Sequence, residues 1–299
     1  MGEVDVSIIL VNYNTKKLTS ECIDSIFRYT KGVRFEVILV DNGSVDGSKE
    51  LFSENQRILY YYNNDNLGFG PANNIGAEHA VGKVLLFLNT DTVLIDDAIS
   101  KLFFYLESQK DAVVCGGNLL TKEREPSNSY ERLFPSIAYE LNELFLRIPG
   151  KLIYGRNGKF NHKRKAIKVK YISGADLMIY HDLFDSLSGF DSNFFMYYEE
   201  TDLCKRAKKY GEIYSYPLAQ IIHYGGKSSK DSLTIPSEHK LIIQANSRDY
   251  YLSKHFSKSY LELYYFISKL RVKSRILEYS ILGKNAIRDM WKLVLKTYK

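Results

Sequence analysis

The sequence has few cysteines, and their positions argue against a covalent or metal framework. Cys22, Cys115 and Cys204 are the three cysteines of the 299-residue chain, and no two of them are spaced as Cys-x-x-Cys. An odd number of widely spaced cysteines is atypical of a disulfide framework or a zinc cluster. A reducing, cytoplasmic setting is therefore expected.

Long apolar runs are also missing. No stretch reaches the roughly 18 apolar residues that a transmembrane helix needs. The amino terminus has neither a basic segment nor a cleavage site before its first apolar run, so we expect it to form a strand of a folded domain and not a signal peptide.

The net charge of +6 is concentrated in the last part of the chain. Residues 245–299 hold 12 Lys or Arg against 4 Asp or Glu, a balance of +8. From about Glu238 the pattern is helical, with basic residues between aromatic and aliphatic ones. Such a tail can bind an anionic membrane surface, or it can pack on the domain or on a second subunit, and both readings stay open. No nucleic-acid-binding motif accompanies the charge, so nucleic acid is not an expected partner.

Strands and helices alternate along residues 1–118 at the spacing of a parallel sheet. The predicted strands are 6–14, 35–44, the first part of 57–68, 83–89 and 112–120, and the predicted helices include 46–53, 70–82 and 96–107. Residues 121–170 lose this pattern and are predicted to form a variable excursion, helical around 137–146, of the kind that forms binding walls. Order returns with a strand at 175–180, a helix at 201–210 and a last strand at 220–223. We expect one domain over 1–237 and a basic helical tail over 238–299.

Polar clusters follow each of the first four predicted strands. In an open parallel sheet, ligands bind outside the carboxyl ends of the strands, so neighbouring strands would bring these clusters to one edge. Turns and helix caps use the same residue types, so each cluster alone is also explained by local structure. The clusters are Asn12–Asn14, Asp41–Ser44, Asn63–Asn66 and Asn89–Thr92.

The cluster after the fourth strand allows two interpretations. An Asn-Thr-Asp triplet at a strand end offers oxygen ligands to a hard divalent cation that shares its other positions with phosphate and water. Alternatively, Asp91 or Thr92 caps a helix that is predicted to begin near Asp96. His223, at the end of the last predicted strand, is of interest as a ligand only if it faces Asp91.

Three carboxylates, Glu199, Glu200 and Asp202, lie within four residues, directly after an aromatic run. Burial against aromatic rings and mutual repulsion raise carboxyl pKa values, which suits a general base. The same acids precede basic residues in a predicted helix, with Asp202 and Arg206 at i, i+4 spacing, and the helix dipole favours that order. The structural explanation of the charges therefore also stays open.

Taken together, these segments resemble family 2 inverting glycosyltransferases, specifically the rhamnosyltransferase-like branch. The resemblance spans about residues 4–256. It implies the GT-A fold, a Rossmann-like, mostly parallel α/β sheet flanked by helices, here with a C-terminal helical extension, which binds a nucleoside diphosphate-sugar with Mg²⁺ or Mn²⁺. The segments that carry it are VSIILVNYN, VILVDNGSVDGS, NLGFGPANNIGAEHAVGKVLLFLNTDT, SGADLMIYHDLFDSLSGFDSNFFMYYEETDLCKRAKKYG and IIHYGGKS.

The resemblance assigns most strand-end residues to the donor. Asp91 would be the carboxylate of the metal-binding D-x-D motif, while Asn89 replaces the first aspartate of that motif. Independently of the resemblance, the position of His223 at a strand end makes it the other expected metal ligand. The expected nucleotide-sugar contacts are Val11, Asn12, Tyr13, Asp41, Asn42, Asn66, Asn73, Asn74, Asn89 and Thr90.

A single displacement is the implied mechanism. The Glu-Asp base motif of the branch reads Glu199-Glu200 here, so Glu200 is expected to be the base and Glu199 is the other candidate. The base takes a proton from an acceptor hydroxyl, which attacks the anomeric carbon from the face opposite the leaving nucleoside diphosphate. The acceptor side is expected to combine the excursion with Gly174, Ala175 and Asp176.

The expected function is inverting transfer in polysaccharide biosynthesis. The donor would be a UDP- or dTDP-linked sugar, and the acceptor a growing glycan or a lipid-linked saccharide. The expected location is the cytoplasm, with peripheral binding to the membrane and a homo-oligomer formed through the tail as open options. The alternative is a non-catalytic nucleotide-sugar or glycan binding protein on the same fold.

Overall fold

The computed structural model describes residues 4–155, 158–225 and 237–298. These residues form eleven strands and eleven helices, which alternate over the first part of the chain as predicted. In chain order the strands are β1 (Val6–Asn12), β2 (Phe35–Asp41), β3 (Leu59–Tyr62), β4 (Val84–Asn89), β5 (Thr92–Leu94), β6 (Ala112–Leu120), β7 (Tyr130–Glu131), β8 (Ile167–Val169), β9 (Tyr171–Ile172), β10 (Asp176–Tyr180) and β11 (Glu212–His223). The helices are α1 (Lys16–Tyr29), α2 (Ser48–Ser53), α3 (Phe69–Glu78), α4 (Ala98–Ser108), α5 (Ile137–Leu144), α6 (Ile148–Tyr154), α7 (His181–Ser186), α8 (Glu199–Ala207), α9 (Glu238–His255), α10 (Lys258–Ile281) and α11 (Asn285–Lys296).

Nine strands form one mixed sheet in the order β3-β2-β1-β4-β10-β6-β11-β5, with β8 paired to β11. The first four strands of this order are parallel neighbours, whereas β10 runs antiparallel between β4 and β6. The two short strands β7 and β9 pair separately. The parallel strands therefore bring their carboxyl ends to one edge of the sheet, which is the condition for a shared ligand site.

The strand β4 is buried on both faces of the sheet. Its residues Val84–Leu88 are at most 2% exposed. Leu86 packs in an apolar cluster with α1 and α4, and Phe87 packs in a second cluster with α3 and α8. Helices on both faces explain why this strand is a continuous apolar run. The polar residues that follow β4 are thereby held on a rigid element.

The strands β5 and β11 differ from the prediction, and the short strands β7, β8 and β9 form in or directly after the segment that was predicted as an excursion. The last strand is predicted only at 220–223, but β11 begins at Glu212. Pro217 and a register shift between Ser215 and Gln220 interrupt its pairing with β6, so the sequence lacks the regular alternation of an uninterrupted strand. The strand β5 is absent from the prediction because three residues are too few to show alternation, and it forms by antiparallel pairing with the end of β11.

The C-terminal segment is helical as predicted, and its three helices pack on the rest of the chain. Phe194, Tyr251, Leu252 and Tyr264 form a buried cluster, so α9 and α10 share a core with the loop before α8. All three cysteines of the chain are buried and free. Within the ranges described above, no helix combines the length and the apolar character needed to cross a bilayer.

Candidate active site at the edge of the sheet

Asp91 faces His223 across the end of the sheet. The antiparallel pairing of β5 with β11 sets Thr92 opposite His223, and the Asp91 Oδ1 atom lies 3.1 Å from the His223 Nε2 atom. The Asn89 Nδ2 atom lies 3.4 Å from the same ring nitrogen. The helix α4 begins only at Ala98. The helix-cap interpretation of Asp91 is therefore wrong. His223 faces Asp91, which is the condition under which it was considered as a metal ligand.

The chain after His223 passes closely over this pair. The Tyr224 N–H donates to the Asp91 carbonyl oxygen at 2.8 Å. A Cβ atom at Gly225 would lie 2.5 Å from the His223 Nε2 atom and 3.0 Å from the Asp91 Oδ2 atom. Only glycine therefore fits at position 225 without displacing the pair. The rest of the IIHYGGKS segment, from Gly226 onward, lies outside the described residues.

The donor set at this pair fits a divalent cation that is shared with a ligand. It offers one carboxylate and one imidazole, and the described part of the chain contains no group of three or more His, Cys, Asp or Glu residues that could hold a metal ion. Mg²⁺ and Mn²⁺ accept few protein ligands when diphosphate oxygens and water complete the shell. The pair suits that arrangement and does not suit a closed protein cage.

The strand-end side chains of β1 and β2 hydrogen bond with each other. Asp41 is fully buried, and its carboxylate accepts from the Ser44 N–H at 2.9 Å and from the Tyr60 hydroxyl at 3.0 Å. The Asn12 Nδ2 group donates to the Ser44 Oγ atom at 2.9 Å. In contrast, Tyr13 is 49% exposed. Asn12 and Asp41 thus fix the turns, and Tyr13 presents a free surface beside them.

Two further contacts join all four polar clusters into one network. The Asn42 Nδ2 group donates to the Asn66 Oδ1 atom at 2.8 Å, which connects the ends of β2 and β3. The Thr90 hydroxyl lies 3.4 Å from the Val11 carbonyl oxygen, which connects the ends of β4 and β1. The convergence expected from the sequence is therefore observed.

Asn73 and Asn74 have partners within the protein. The Asn73 Nδ2 group donates to the Phe69 carbonyl oxygen at 2.9 Å, one turn back in α3. Asn74 accepts from the Phe190 N–H at 2.9 Å and donates to the Phe190 carbonyl oxygen at 2.8 Å. Asn74 thereby fixes the loop that leads to α8, a contact that no local sequence signal announces.

Glu199 and Glu200 open α8 after two strained residues. Tyr197 and Tyr198 have φ angles of +70° and +71°, a region that costs a residue with a side chain about 1–3 kcal/mol. Glu199 is 5% exposed, and its Oε2 atom finds no hydrogen-bond partner among the described residues. Burial and the charge of Glu200 raise the Glu199 pKa well above its usual value.

Glu200 is the more accessible carboxyl group of the pair. Burial raises its pKa as well, and its carboxylate lies 3.4 Å from the Thr201 hydroxyl. Unlike Glu199, it lines a cavity of about 380 Å³. A carboxylate with a raised pKa and access to a cavity can accept a proton from a hydroxyl group.

A short segment before β10 connects the two halves of the site. The Ala175 carbonyl oxygen accepts from the Asn89 N–H at 3.1 Å. At Gly174, the Cβ position lies 3.6 Å from the Glu200 Cβ atom. Asp176 is fully buried, its Oδ2 atom accepts from the Gly117 N–H at 2.6 Å, and burial raises its pKa well above the usual range. Gly174 is thus the member of this segment that adjoins Glu200.

The third carboxylate of the acidic cluster has a structural role. The predicted ion pair of Asp202 with Arg206 is present, with the Oδ2 and Nε atoms 2.7 Å apart. Asp202 also accepts from His255 at 2.7 Å and lies 3.0 Å from the Lys254 Nζ atom. The contacts with α9 were missed because the sequence offers no signal for pairs so distant along the chain.

The sequence is similar to one protein family and to several glycosyltransferases. The model of Glycosyl transferase family 2 matches residues 7–187. The low-salt glycan biosynthesis hexosyltransferase Agl10 of Haloferax volcanii is 26% identical over 263 residues, which cover 85% of this chain and 78% of that protein. The glycosyltransferase GlyG of Streptococcus pneumoniae is 29% identical over 129 residues, 42% of each chain.

Two solved structures share the fold. One is GalNAc-T7 with UDP, GalNAc and Mn²⁺, at a TM-score of 0.61 and 16% identity, over 83% of this chain and 48% of that one. The other is the mannosyltransferase PcManGT of Pyrobaculum calidifontis with GDP-Man and Mn²⁺, at a TM-score of 0.60 and 12% identity, over 99% and 86%. The predicted GT-A fold, a mostly parallel sheet flanked by helices with further helices at the C-terminus, is confirmed.

Proposed function

The chain belongs to glycosyl transferase family 2, and on that premise we propose that it is a metal-dependent inverting hexosyl- or rhamnosyltransferase. It moves a sugar from a UDP- or dTDP-linked donor to a hydroxyl group of a growing glycan or of a lipid-linked saccharide. The observation that carries the proposal is the contact path from Asp91 to His223 and Asn89, and then along Ala175 and Gly174 to Glu200. This path joins a strand-end diphosphate site to a carboxyl base.

The donor lies along the edge of the sheet in this proposal. Its nucleoside rests near Val11 and the exposed ring of Tyr13, beside the turns that Asp41 fixes. Its diphosphate reaches the Asp91–His223 pair, which would hold Mg²⁺ or Mn²⁺. When bound, the ion supplies positive charge against the negative charge of the leaving diphosphate.

Glu200 acts as the general base. It takes the proton of the acceptor hydroxyl while the hydroxyl oxygen forms a bond to the anomeric carbon of the donor sugar. The bond from that carbon to the diphosphate oxygen breaks, and the electron pair leaves with the nucleoside diphosphate. Attack from the opposite face inverts the anomeric configuration. The raised pKa of Glu200 supports this role, because it brings the base closer to neutral pH.

Substitution of the base tests the proposal. We expect Glu200→Gln to lower kcat by about 10²–10⁴-fold and to leave the Kd for the donor nearly unchanged, because the amide keeps the shape and loses the basic oxygen. The assay measures release of nucleoside diphosphate from a panel of nucleotide-sugars with Mn²⁺ and saccharide acceptors. Product anomers are assigned by proton NMR.

Glu199→Gln is the matched control for this substitution. It is expected to keep transfer, because Glu199 is buried and does not line the cavity that Glu200 reaches. Full activity of Glu200→Gln together with loss of activity in Glu199→Gln would show that Glu199, and not Glu200, is the base. Absence of nucleoside diphosphate release from every donor would favour a non-catalytic binding protein.

We also infer that α10 binds an anionic membrane surface from the cytoplasmic side. Its outer face carries large apolar side chains that are 42–76% exposed and recur at steps of three, four and seven residues. Lys269 and Lys273 lie along one border of this face, within the segment that carries +8. An exposed apolar stripe with a basic border matches an interfacial helix. The stripe consists of Leu263, Phe266, Leu270, Leu277 and Ile281.

A further inference from the structure

The cavity that Glu200 lines is enclosed mainly by the C-terminal helices. Its volume of about 380 Å³ falls within the range of small-molecule sites. Residues 237–298 contribute ten of its eighteen lining residues, eight of them in helices α9, α10 and α11, and neither Asp91 nor His223 is among the eighteen. The cavity therefore lies beside the base but apart from the proposed diphosphate site.

Aromatic side chains dominate the wall of this cavity. Seven of the eighteen lining residues are Tyr or Trp, among them Tyr139, Tyr197, Trp291 and Tyr298. Pyranose rings have apolar C–H faces and a rim of hydroxyl groups, so aromatic rings combined with hydroxyl and amide groups suit them. The wall chemistry matches a sugar ring better than a purely apolar ligand.

The charges in the cavity wall are balanced. The Arg271 Nε atom lies 2.6 Å from the Glu140 Oε2 atom, and the Arg248 guanidinium lies 2.8 Å from Asp249. Each guanidinium thus has a carboxylate partner already. A phosphate or carboxylate group would have to compete with these pairs, whereas a neutral sugar would not. The cavity therefore favours an uncharged ring.

Trp291 is held in place within this wall. The Arg271 guanidinium lies 5.5 Å from the centroid of the Trp291 ring, and Arg271 is itself fixed by Glu140 and by the Tyr298 hydroxyl at 3.2 Å. An aromatic ring fixed before binding loses little conformational freedom when a ligand stacks on it. Trp291 is thus suited to orient a ring beside Glu200.

We propose that this cavity binds the uncharged hexopyranose ring of the acceptor, with Trp291 as its stacking residue, so that the C-terminal helices determine acceptor specificity. The proposal rests on the glycosyltransferase function proposed above. It extends the expected acceptor side, which combined the excursion with the segment from Gly174 to Asp176, to the C-terminal helices.

The single tryptophan of the chain makes the cavity directly observable. The first measurement uses the wild-type protein with a panel of methyl hexopyranosides and follows the emission of Trp291 and its quenching by acrylamide. We expect at least one pyranoside to shift the emission, to protect it from acrylamide and to serve as an acceptor for nucleoside diphosphate release. UDP with Mn²⁺ alone is expected to leave the emission nearly unchanged.

The second measurement uses substitutions on α11. Trp291→Ala is expected to raise the ratio of acceptor KM to donor KM about tenfold, because the stacked ring is lost. Trp291→Phe is expected to raise this ratio less than Trp291→Ala does, because a smaller aromatic ring remains. Leu293→Ala, which removes a side chain of the same helix that does not line the cavity, controls for a general loosening of α11 and is expected to leave both KM values unchanged.

The outcomes separate this proposal from the one on which it rests. An acceptor that is glycosylated without altering Trp291 emission, together with an unchanged KM ratio in Trp291→Ala, would overturn the cavity proposal and leave the transferase function intact. A panel in which no pyranoside alters the emission also counts against the cavity. Failure of every donor to release nucleoside diphosphate contradicts the transferase function, and the emission then still reports whether the cavity binds sugar.

Discussion

Glu199 and Glu200 are adjacent in sequence, but their carboxyl groups have different surroundings. The strained backbone at Tyr197 and Tyr198 turns the chain so that Glu199 enters the core and Glu200 reaches the cavity. Two neighbouring carboxyl groups in different surroundings suit different chemical roles. The proposed assignment of Glu200 as base follows from this difference.

The buried carboxyl group of Glu199 makes folding stability depend on pH. Its folded-state pKa is raised above the usual 4.5, so its contribution is fully present below about pH 4.5 and is lost as the pH rises toward the folded-state pKa. Glu199→Gln removes this titration. We therefore expect the stability of the variant relative to wild type to increase by at most about 1.4 kcal/mol per pH unit between pH 4.5 and the folded-state pKa, and to level off above it.

Urea unfolding of wild type and Glu199→Gln at several pH values measures this difference. Glu54→Gln, at an exposed position after α2, is the control and should follow the wild-type curve. A stability difference for Glu199→Gln that does not vary with pH would contradict a raised pKa at Glu199.

Asp91 is the proposed carboxylate ligand, and its removal should abolish metal-dependent binding of a nucleoside diphosphate. We expect UDP with Mn²⁺ to raise the Tm of wild type, because ligand at 100 times its Kd stabilises the folded state by about 2.7 kcal/mol. The Tm of Asp91→Asn is expected to stay unchanged. Asp24→Asn, at a surface ion pair with Arg57, should respond as wild type does. Equal Tm increases in all three proteins would show that Asp91 is not a ligand of the metal ion.

At the scale of elements, Asp202 connects the helix of the base to the first C-terminal helix. Its side chain is fully buried and contacts Arg206 in α8 and Lys254 and His255 in α9. Burial alone would raise its pKa, but the hydrogen bond with His255 and the neighbouring positive charges outweigh burial, and the pKa is lowered. The orientation of α8 therefore depends on α9.

Loss of the Asp202 charge should destabilise the protein strongly. Asp202→Asn leaves three basic groups without their shared carboxylate, and breaking a buried ion pair costs about 3–5 kcal/mol. Asp289→Asn, at an exposed pair with Arg288 in α11, should change stability far less, because solvent screens an exposed ion pair. Chemical unfolding compares the two variants, and equal losses would show that Asp202 does not connect these helices.

Charged substitutions in the apolar stripe of α10 should weaken binding to membranes. Phe266→Asp combined with Leu277→Asp should lower binding to vesicles that contain phosphatidylglycerol by about tenfold or more, because each burial contributes about 1.5–3 kcal/mol. Leu51→Asp, at a similarly exposed apolar residue on α2, should leave binding unchanged. Sedimentation with vesicles measures the bound fraction.

Vesicles without anionic lipid and size-exclusion chromatography complete the membrane test. Unchanged vesicle binding in the double variant would contradict the membrane proposal. If the double variant instead changes from a dimer to a monomer, the stripe contacts a second copy of the chain.

At the scale of the whole molecule, the parts that could be predicted from sequence are those with local signals. The strands β1, β2 and β4 are continuous apolar runs followed by polar residues, so both the parallel sheet and the strand-end clusters were predictable. The acids at the start of α8 were also visible, because helix position and charge order lie within one segment. These signals were sufficient for the fold and for the main candidate residues.

The remaining features depend on contacts between distant segments. Asn74 holds Phe190, Asp202 pairs with His255, and Trp291 shares a cavity with Glu200. No periodicity or spacing encodes such contacts, because they arise only when the helices pack on the sheet. The accessibility that distinguishes Glu200 from Glu199 also depends on how distant segments pack around them.

The pairing of β5 with β11 has a consequence for the order of events during synthesis. Asp91 meets His223 only after the end of β11 has joined the sheet, and contacts between such distant segments form late in folding. While the ribosome is still making the region before residue 223, the nascent chain has its parallel strands but lacks this pair. The amino-terminal strands can therefore assemble first, and the protein acquires the pair only after the chain up to His223 has emerged.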